Sequence, residues 1–289
     1  MHQVTAKGIL SSKNGMNIYR GCSHGCIYCD SRSDCYQMKH DFEDIEVKVN
    51  AAELLEDSLR RKRKKCMIST GAMTDPYIPL EKQLKNTRKC LEIIDKYYFG
   101  LSIQTKSNLI LRDLDLLKSI NEKSKCVVEM TLTTYDESLC KKIEPDVSTT
   151  KERFEVLKIM REQGIPTVVW LSPILPFIND TEANIRGILD YCIEAKVKAI
   201  LCFGMGLTLR SGNREYFYHK LERLFPTLKQ KYINHYGNSY NVVSSENKEL
   251  MKIIRSVCDK NDILLGTDEV FEYLHKYEGK NVYEQLNLF

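Results

Sequence analysis

Met16-Asn17-Ile18-Tyr19-Arg20-Gly21-Cys22-Ser23-His24-Gly25-Cys26-Ile27-Tyr28-Cys29 is the stretch on which the reading turns. A short apolar run at 16–19 reads as a strand and opens directly onto a loop with three cysteines. Their C-x3-C-x2-C spacing puts three thiolates on one tight turn. Gly21 and Gly25 let that turn fold closely around a bulky ligand. Zinc would want a fourth ligand, for which Cys35 and His24 are candidates. A [4Fe–4S] cluster held by Cys22, Cys26 and Cys29 would instead leave one iron open. The ligand arithmetic favours the cluster, and a zinc knuckle remains the alternative.

Working outward, the runs at 66–69, 101–104, 126–132, 167–171 and 199–203 are apolar with little alternation. That is the pattern of parallel strands buried on both faces. Amphipathic helical stretches separate them. Leu84, Leu91, Ile94 and Tyr98 share one face, as do Ile185, Ile188, Leu189 and Cys192. Thr149 and Glu152 have capping-box spacing at the start of a helix carrying Phe154, Leu157 and Met160, and Gly164 ends it. Repeated βα units with right-handed crossovers give an α/β fold, either a barrel or an open doubly wound sheet. Six units fall short of the eight of a closed barrel. After about residue 210 the strand rhythm stops, and helices are expected at 214–225, 247–258 and 269–277. The expected division is therefore 1–210 and 211–289, the second part a helical extension.

The chain has 289 residues with ordinary globular composition, 43% hydrophobic and 28% charged, and a formal net charge of +4. That charge is too small to imply nucleic acid and does not exclude it. The eleven cysteines are odd in number and scattered, and no apolar signal core precedes them. No apolar run approaches the ~18 residues needed to cross a bilayer. These features lead us to expect a reducing cytoplasm, where clustered cysteines bind metal more often than they pair. The one charge block is Arg60-Arg61-Lys62-Arg63-Lys64-Lys65, read as a solvated helix end.

With these residues in view, the chain resembles radical S-adenosylmethionine (SAM) enzymes, and specifically the spore photoproduct lyase-like branch. The carrying segments are the cysteine motif from Tyr19 to Cys29, Thr74-Asp75-Pro76-Tyr77-Ile78-Pro79-Leu80-Glu81 and Thr105-Lys106-Ser107. Arg112-Asp113, Glu144-Pro145, Gly164-Ile165-Pro166 and Pro173-Ile174-Leu175-Pro176 follow in the family's order. The likeness covers about residues 16–206. It implies a partial (β/α)6 barrel of the TIM type, with SAM on the open iron of the cluster. It also implies a reduced electron donor such as flavodoxin or ferredoxin, and reductive cleavage of SAM to a 5′-deoxyadenosyl radical.

In α/β barrels the chemistry sits at the C-terminal ends of strands. By that rule and the resemblance, Tyr28, Thr70, Gly71, Lys106, Ser107, Thr131 and Gly204 are the expected SAM-binding residues. Asp75 and Tyr77 are read evenly as a turn and as substrate contacts. Arg210 and Arg214 are candidate anion contacts. Cys35, close after the cluster motif, is the candidate for returning a hydrogen atom to the substrate. The chain departs from the branch in two places: Asp30 stands where Tyr is common, and the loop from Thr70 to Tyr77 lacks a cysteine. The substrate readings are nucleic acid, as in the lyase-like branch, or else a peptide, protein or small molecule. A non-enzymatic metal-binding module is the third reading.

Overall fold

The computed structural model describes residues 1–280. In chain order its strands are β1 (His2–Val4), β2 (Gly15–Met16), β3 (Tyr19–Arg20), β4 (Glu46–Lys48), β5 (Met67–Thr70), β6 (Gly100–Thr105), β7 (Cys126–Thr131), β8 (Thr167–Trp170), β9 (Ala199–Leu201), β10 (Gly206–Thr208) and β11 (Asn241–Val243). The helices are α1 (Ala51–Arg61), α2 (Glu81–Leu84), α3 (Asn86–Lys96), α4 (Leu114–Lys123), α5 (Glu137–Ile143), α6 (Thr150–Glu162), α7 (Glu182–Glu194), α8 (Asn213–Leu224), α9 (Leu228–Tyr236), α10 (Asn247–Lys260) and α11 (Thr267–His275).

Six strands pair in parallel in the order β2-β5-β6-β7-β8-β9. Sequential neighbours joined by helical crossovers make the partial (β/α)6 barrel. The free edge of β9 is extended by one parallel bridge from Ala199 to Leu264. One face of the sheet, with Ile68, Leu101, Ile103, Val128, Met130, Val169 and Ile200, packs on the outer helices through Leu55, Leu91, Leu117, Leu157 and Ile188. Each such fully buried side chain contributes roughly 1.5–3 kcal/mol. The helix at Thr150 starts on the predicted capping box: Thr149 Oγ1 accepts the Glu152 N–H, and Glu152 accepts the Thr149 N–H.

The run at 16–19 is not one strand. Met16 closes the barrel edge, whereas Tyr19 begins β3, which belongs to a small sheet ordered β1-β4-β3. The chain turns between the sheets at Asn17 and Ile18, so β3 delivers the cysteine loop from outside the barrel wall.

Between residues 211 and 280 the chain forms the four helices α8–α11 and also β11, which pairs antiparallel with β10. Val270 and Leu274 of α11 join Met67, Val127, Val168, Ala199 and Leu201 in one buried cluster on the concave face. Lys125, at the start of β7, donates to the carbonyls of Tyr273 at 2.7 Å and Lys276 at 3.2 Å. The end of α11 thus floors the half-barrel at the N-terminal ends of its strands. Among the described residues no helix is long and apolar enough to cross a membrane.

Candidate functional site: a cysteine loop over a polar barrel mouth

The cysteine loop lies against the C-terminal end of the barrel and is held by backbone bonds on several sides. Cys22 N–H donates to Phe42 O at 3.0 Å, Ile27 N–H to Ile143 O at 3.0 Å, and Asp146 N–H to His24 O at 3.2 Å. Gly21 (φ +87°) and Gly25 (φ +69°) are needed for this path. A Cβ at Gly21 would meet Phe42 O at 2.4 Å, and one at Gly25 would meet Pro145 Cγ at 2.9 Å.

Two buried carboxylates pin the tyrosines that flank the loop. Tyr19 donates its hydroxyl to Glu81, which is fully buried and held by Arg112 at 2.8 Å. Tyr28 donates to Glu144, which pairs with Arg153 at 2.5 Å. Arg153 is itself fully buried and donates to Thr131 O at 2.7 Å. Burial raises the Glu144 carboxyl, but Arg153, Lys106 and the Tyr28 hydroxyl outweigh it and hold it below the ordinary carboxylate range. A buried charge needs such partners. Here they fix the loop from both ends.

The loop suits a multinuclear cluster better than a lone ion. Among the described residues the one trio of His, Cys, Asp or Glu with ligand atoms all within 4.8 Å of one another is elsewhere, at His2, His40 and Asp44. At least one pair of the three cysteine sulfurs therefore stands more than 4.8 Å apart, wider than the roughly 3.8 Å of a tetrahedral zinc site with Zn–S bonds. Burial, followed by Cys29, pushes the Cys22 thiol up to about 12, and burial pushes Cys26 up as well. Thiolates there need a strong local positive centre, which a bound metal supplies. Both ring nitrogens of buried His24 lack a hydrogen-bond partner, with Asp75 Oδ2 3.9 Å from Nδ1. A polar ring left open beside the cysteines fits a site built around a further group.

Beside the loop a cleft of about 590 Å³ opens between the strand ends and the β10–β11 ribbon. Its lining includes Tyr28, Cys29, Gln104, Trp170, Phe203 and Gly204. Of the residues expected to bind SAM, Tyr28 and Gly204 face this cleft directly. Thr131 is buried behind the lining residue Gln104 and accepts from its Nε2 at 3.3 Å. Thr70 ends β5 and Gly71 follows it, one residue before Ala72 of the lining. Lys106 reaches over the Tyr28 ring, its Nζ 5.9 Å from the centroid, close to the loop rather than in the cleft. Ser107 caps the turn at Asn108–Asp113 by accepting Leu109 N–H at 3.2 Å. Cys35 is exposed outside the cleft lining, and Arg210 Nη1 donates to its sulfur at 3.2 Å.

Asp75 and Tyr77 resolve towards structure. Asp75 accepts from Tyr77 N–H at 2.8 Å, Thr105 Oγ1 at 2.7 Å and Lys106 N–H at 2.7 Å. Tyr77 is buried with its hydroxyl on Asp113 at 3.1 Å. Arg214 is likewise spent on the carbonyls of Leu209 and Ser239, at 2.7 and 2.9 Å.

The cleft contains residues that the sequence did not single out. Trp170 faces it with Nε1 on Glu129 at 2.5 Å, and Ser102 donates to the same carboxylate. Phe203, 57% exposed, stands 5.9 Å from the Trp170 ring. A lone tryptophan at a strand's C-terminal end was the available signal. Arg153 was legible too, as a cation on the apolar face of its helix.

The family model of the radical SAM superfamily matches residues 16–192, and the chain belongs to that superfamily. A protein of Methanocaldococcus jannaschii is 32% identical over 89% of this chain and 90% of its own length. The radical SAM Nα-GlyT isomerase of Pseudomonas phage M6 is 26% identical over 58% of this chain and 34% of its own. Among solved structures, spore photoproduct lyase complexed with dinucleoside spore photoproduct superposes with a TM-score of 0.64 at 15% identity, over 90% of this chain and 78% of that one. That likeness shows the fold. Membership of the radical SAM superfamily makes the cofactors a [4Fe–4S] cluster and SAM.

Proposed function

We propose that this chain is a radical SAM enzyme acting on a nucleobase of a nucleic acid or nucleoside. The observation that carries the reading is the aromatic pair at the cleft mouth. Trp170 is fixed by Glu129, and the exposed Phe203 ring stands beside it. Such a platform stacks a base without needing its sequence. Two similar proteins support the choice, since their names specify a nucleoside photoproduct and an Nα-GlyT isomerase.

In this reading Cys22, Cys26 and Cys29 hold the cluster. Tyr28, Thr70, Gly71, Lys106, Ser107, Thr131 and Gly204 surround SAM, with Lys106 as the cation for its carboxylate. The chemistry supplied by the bound cluster and SAM is reductive cleavage of the sulfonium C–S bond to methionine and a 5′-deoxyadenosyl radical. The protein's share is to fix the loop through Tyr28 and Glu144 and to exclude water from the cleft. Cys35 is the candidate hydrogen donor, its thiol held by Arg210. A flavodoxin- or ferredoxin-like donor in a reducing cytoplasm completes the system.

The test is 5′-deoxyadenosine release by the reduced protein with SAM, scored against single-stranded oligonucleotides, nucleosides and peptides. Stimulation by the first two is expected. Phe203→Ala should lower it by the roughly 1–3 kcal/mol of one stacked base. Stimulation by peptides alone would overturn the reading.

A further inference from the structure

A second set of ligating side chains converges where the first strand meets the wall of the cysteine loop. His2 lies in β1, while His40 and Asp44 lie in the segment that leads into β4. Their ligand atoms fall within 4.8 Å of one another. Strands β1 and β4 run parallel with His2 opposite Glu46, and His2 N–H donates to Ile45 O at 3.0 Å. The pairing brings His2 alongside the segment that leads into β4.

The His40 ring is oriented as a ligand would be. Its Nδ1 lies 3.0 Å from the carbonyl of Asp41, which makes Nδ1 the protonated nitrogen and leaves the lone pair on Nε2. That Nε2 is buried and has no hydrogen-bond partner. Glu46 Oε2 approaches it only to 3.7 Å. An imidazole fixed through one nitrogen by a backbone carbonyl, with the other left unpaired, is the usual arrangement of a metal-binding histidine. The His2 ring stands edge-on to the His40 ring with centroids 4.7 Å apart, and its Nδ1 lies 2.9 Å from Asp44 Oδ2. Asp44 Oδ1 is 2.9 Å from the Met1 amino group.

We propose that His2, His40 and Asp44, with Glu46 in reach as a fourth ligand, bind a divalent first-row transition cation of the zinc class. Two imidazoles with carboxylates suit zinc, whereas magnesium and calcium take oxygen shells. Ligand atoms around tetrahedral zinc stand about 3.3 Å apart, given bonds of about 2.0–2.2 Å. The side chains of His2 and Asp44 are 37% and 42% exposed, so they are free to close the difference.

The site would be structural. The segment that supplies His40 and Asp44 also supplies Phe42, whose carbonyl accepts the Cys22 N–H. A cation there clamps β1 to the outer wall of the cluster loop. The inference stands independently of the substrate reading above.

The experiment takes cluster-loaded protein with nothing added before Met1, strips it with a chelator under anaerobic conditions and dialyses it against zinc. About one zinc per chain is expected beside unchanged cluster iron. The zinc absorption-edge fine structure should show nitrogen and oxygen at about 2.0–2.2 Å, without sulfur at about 2.3 Å. The double variant His2→Ala/His40→Ala should lose at least about tenfold in zinc affinity, and Asp44→Asn should weaken it too. Zinc should raise the melting temperature of the wild type alone. Wild type without zinc, equal zinc in the double variant, or sulfur in the zinc shell would each overturn the proposal.

Discussion

The two ends of the half-barrel solve opposite problems. At the floor, Met67, Val127, Val168 and Leu201 meet Val270 and Leu274 of α11 in an apolar contact that excludes water, with Lys125 as the charged group that ties the end of α11. At the mouth, Glu144, Arg153, Tyr28, His24 and Glu129 are buried polar or charged groups. Buried ion pairs are a poor route to stability, because desolvation offsets much of their attraction. Their concentration at one end therefore marks where the fold holds a loop in place at the expense of an easier core. The same contrast decides which end carries the chemistry.

The sharpest way to break that contrast is to empty the mouth. Replacing Cys22, Cys26 and Cys29 together with Ala should abolish cluster iron and all SAM cleavage, while the apolar floor keeps the chain folded. Iron analysis and 5′-deoxyadenosine release check this. Retained iron in the triple variant would remove the assignment of these thiols.

Next in size is a matched pair of cuts, one at each end. Arg153→Leu leaves Glu144 buried without its partner, at about 3–5 kcal/mol. Leu274→Ala opens a cavity in the floor, at about 2–5 kcal/mol. The stability losses overlap, so the informative readout is cluster content in the folded fraction. It should fall in Arg153→Leu and stay level in Leu274→Ala. Acid separates them further. The Glu144 carboxyl is depressed in the fold, so its contribution is complete above the ordinary glutamate value of about 4.3 and is lost as pH falls through its lower folded value. Glu144→Gln should flatten that part of the acid-stability profile. An unchanged profile would deny the pair its role.

What could be read beforehand follows from locality. The cysteine motif was legible because its ligands lie within eight consecutive residues. The tie that fixes it was not, because Tyr28 and Glu144 are 116 residues apart. The division of residues 16–19 between two sheets was hidden by one continuous apolar run. Strand β11 escaped because Asn241 and Val243 are exposed and only Val242 is buried. Trp170 and Phe203 were invisible as a pair because strands buried on both faces give no alternation to tell concave from convex. Ser107 stood out by resemblance, and its hydroxyl also accepts the Leu109 N–H that caps the following turn, a use its position alone did not reveal.

A smaller effect tests the SAM wall. Lys106→Ala should weaken SAM binding by about 1.5–3 kcal/mol, the value of a hydrogen bond to a charged group, or roughly ten- to a hundredfold. Thr131→Ala should cost less, about 0.5–1.5 kcal/mol, because its hydroxyl is neutral. Equilibrium binding to the cluster-loaded protein measures both. If Lys106→Ala bound SAM as wild type does, Lys106 would be left as an electrostatic neighbour of Glu144.

The smallest effect belongs to the basic block, and its position explains why. Arg60 and Arg61 end α1 and lie against Asp57, at 2.7 and 3.7 Å. Lys62 donates to Asn14 Oδ1 at 2.7 Å, and Lys65 donates to Tyr97 O at 2.6 Å over the Phe99 ring. Arg63 and Lys64 are exposed. The block leads into the start of β5, on the floor side, whereas the cleft opens at the far end of the strands. Six-residue β6 alone spans about 20 Å, so a phosphate held at the block is remote from a base on Trp170. Neutralising Arg61, Arg63 and Lys65 together should therefore leave turnover and cluster content unchanged. The salt slope of oligonucleotide binding should also stay level, since each lost phosphate contact would lower it by about 0.7–0.9. Salt titrations of the triple variant against wild type measure this. A flatter slope with lower turnover would extend the nucleic-acid path from the mouth round to the floor, and the division between the two ends would no longer describe this protein.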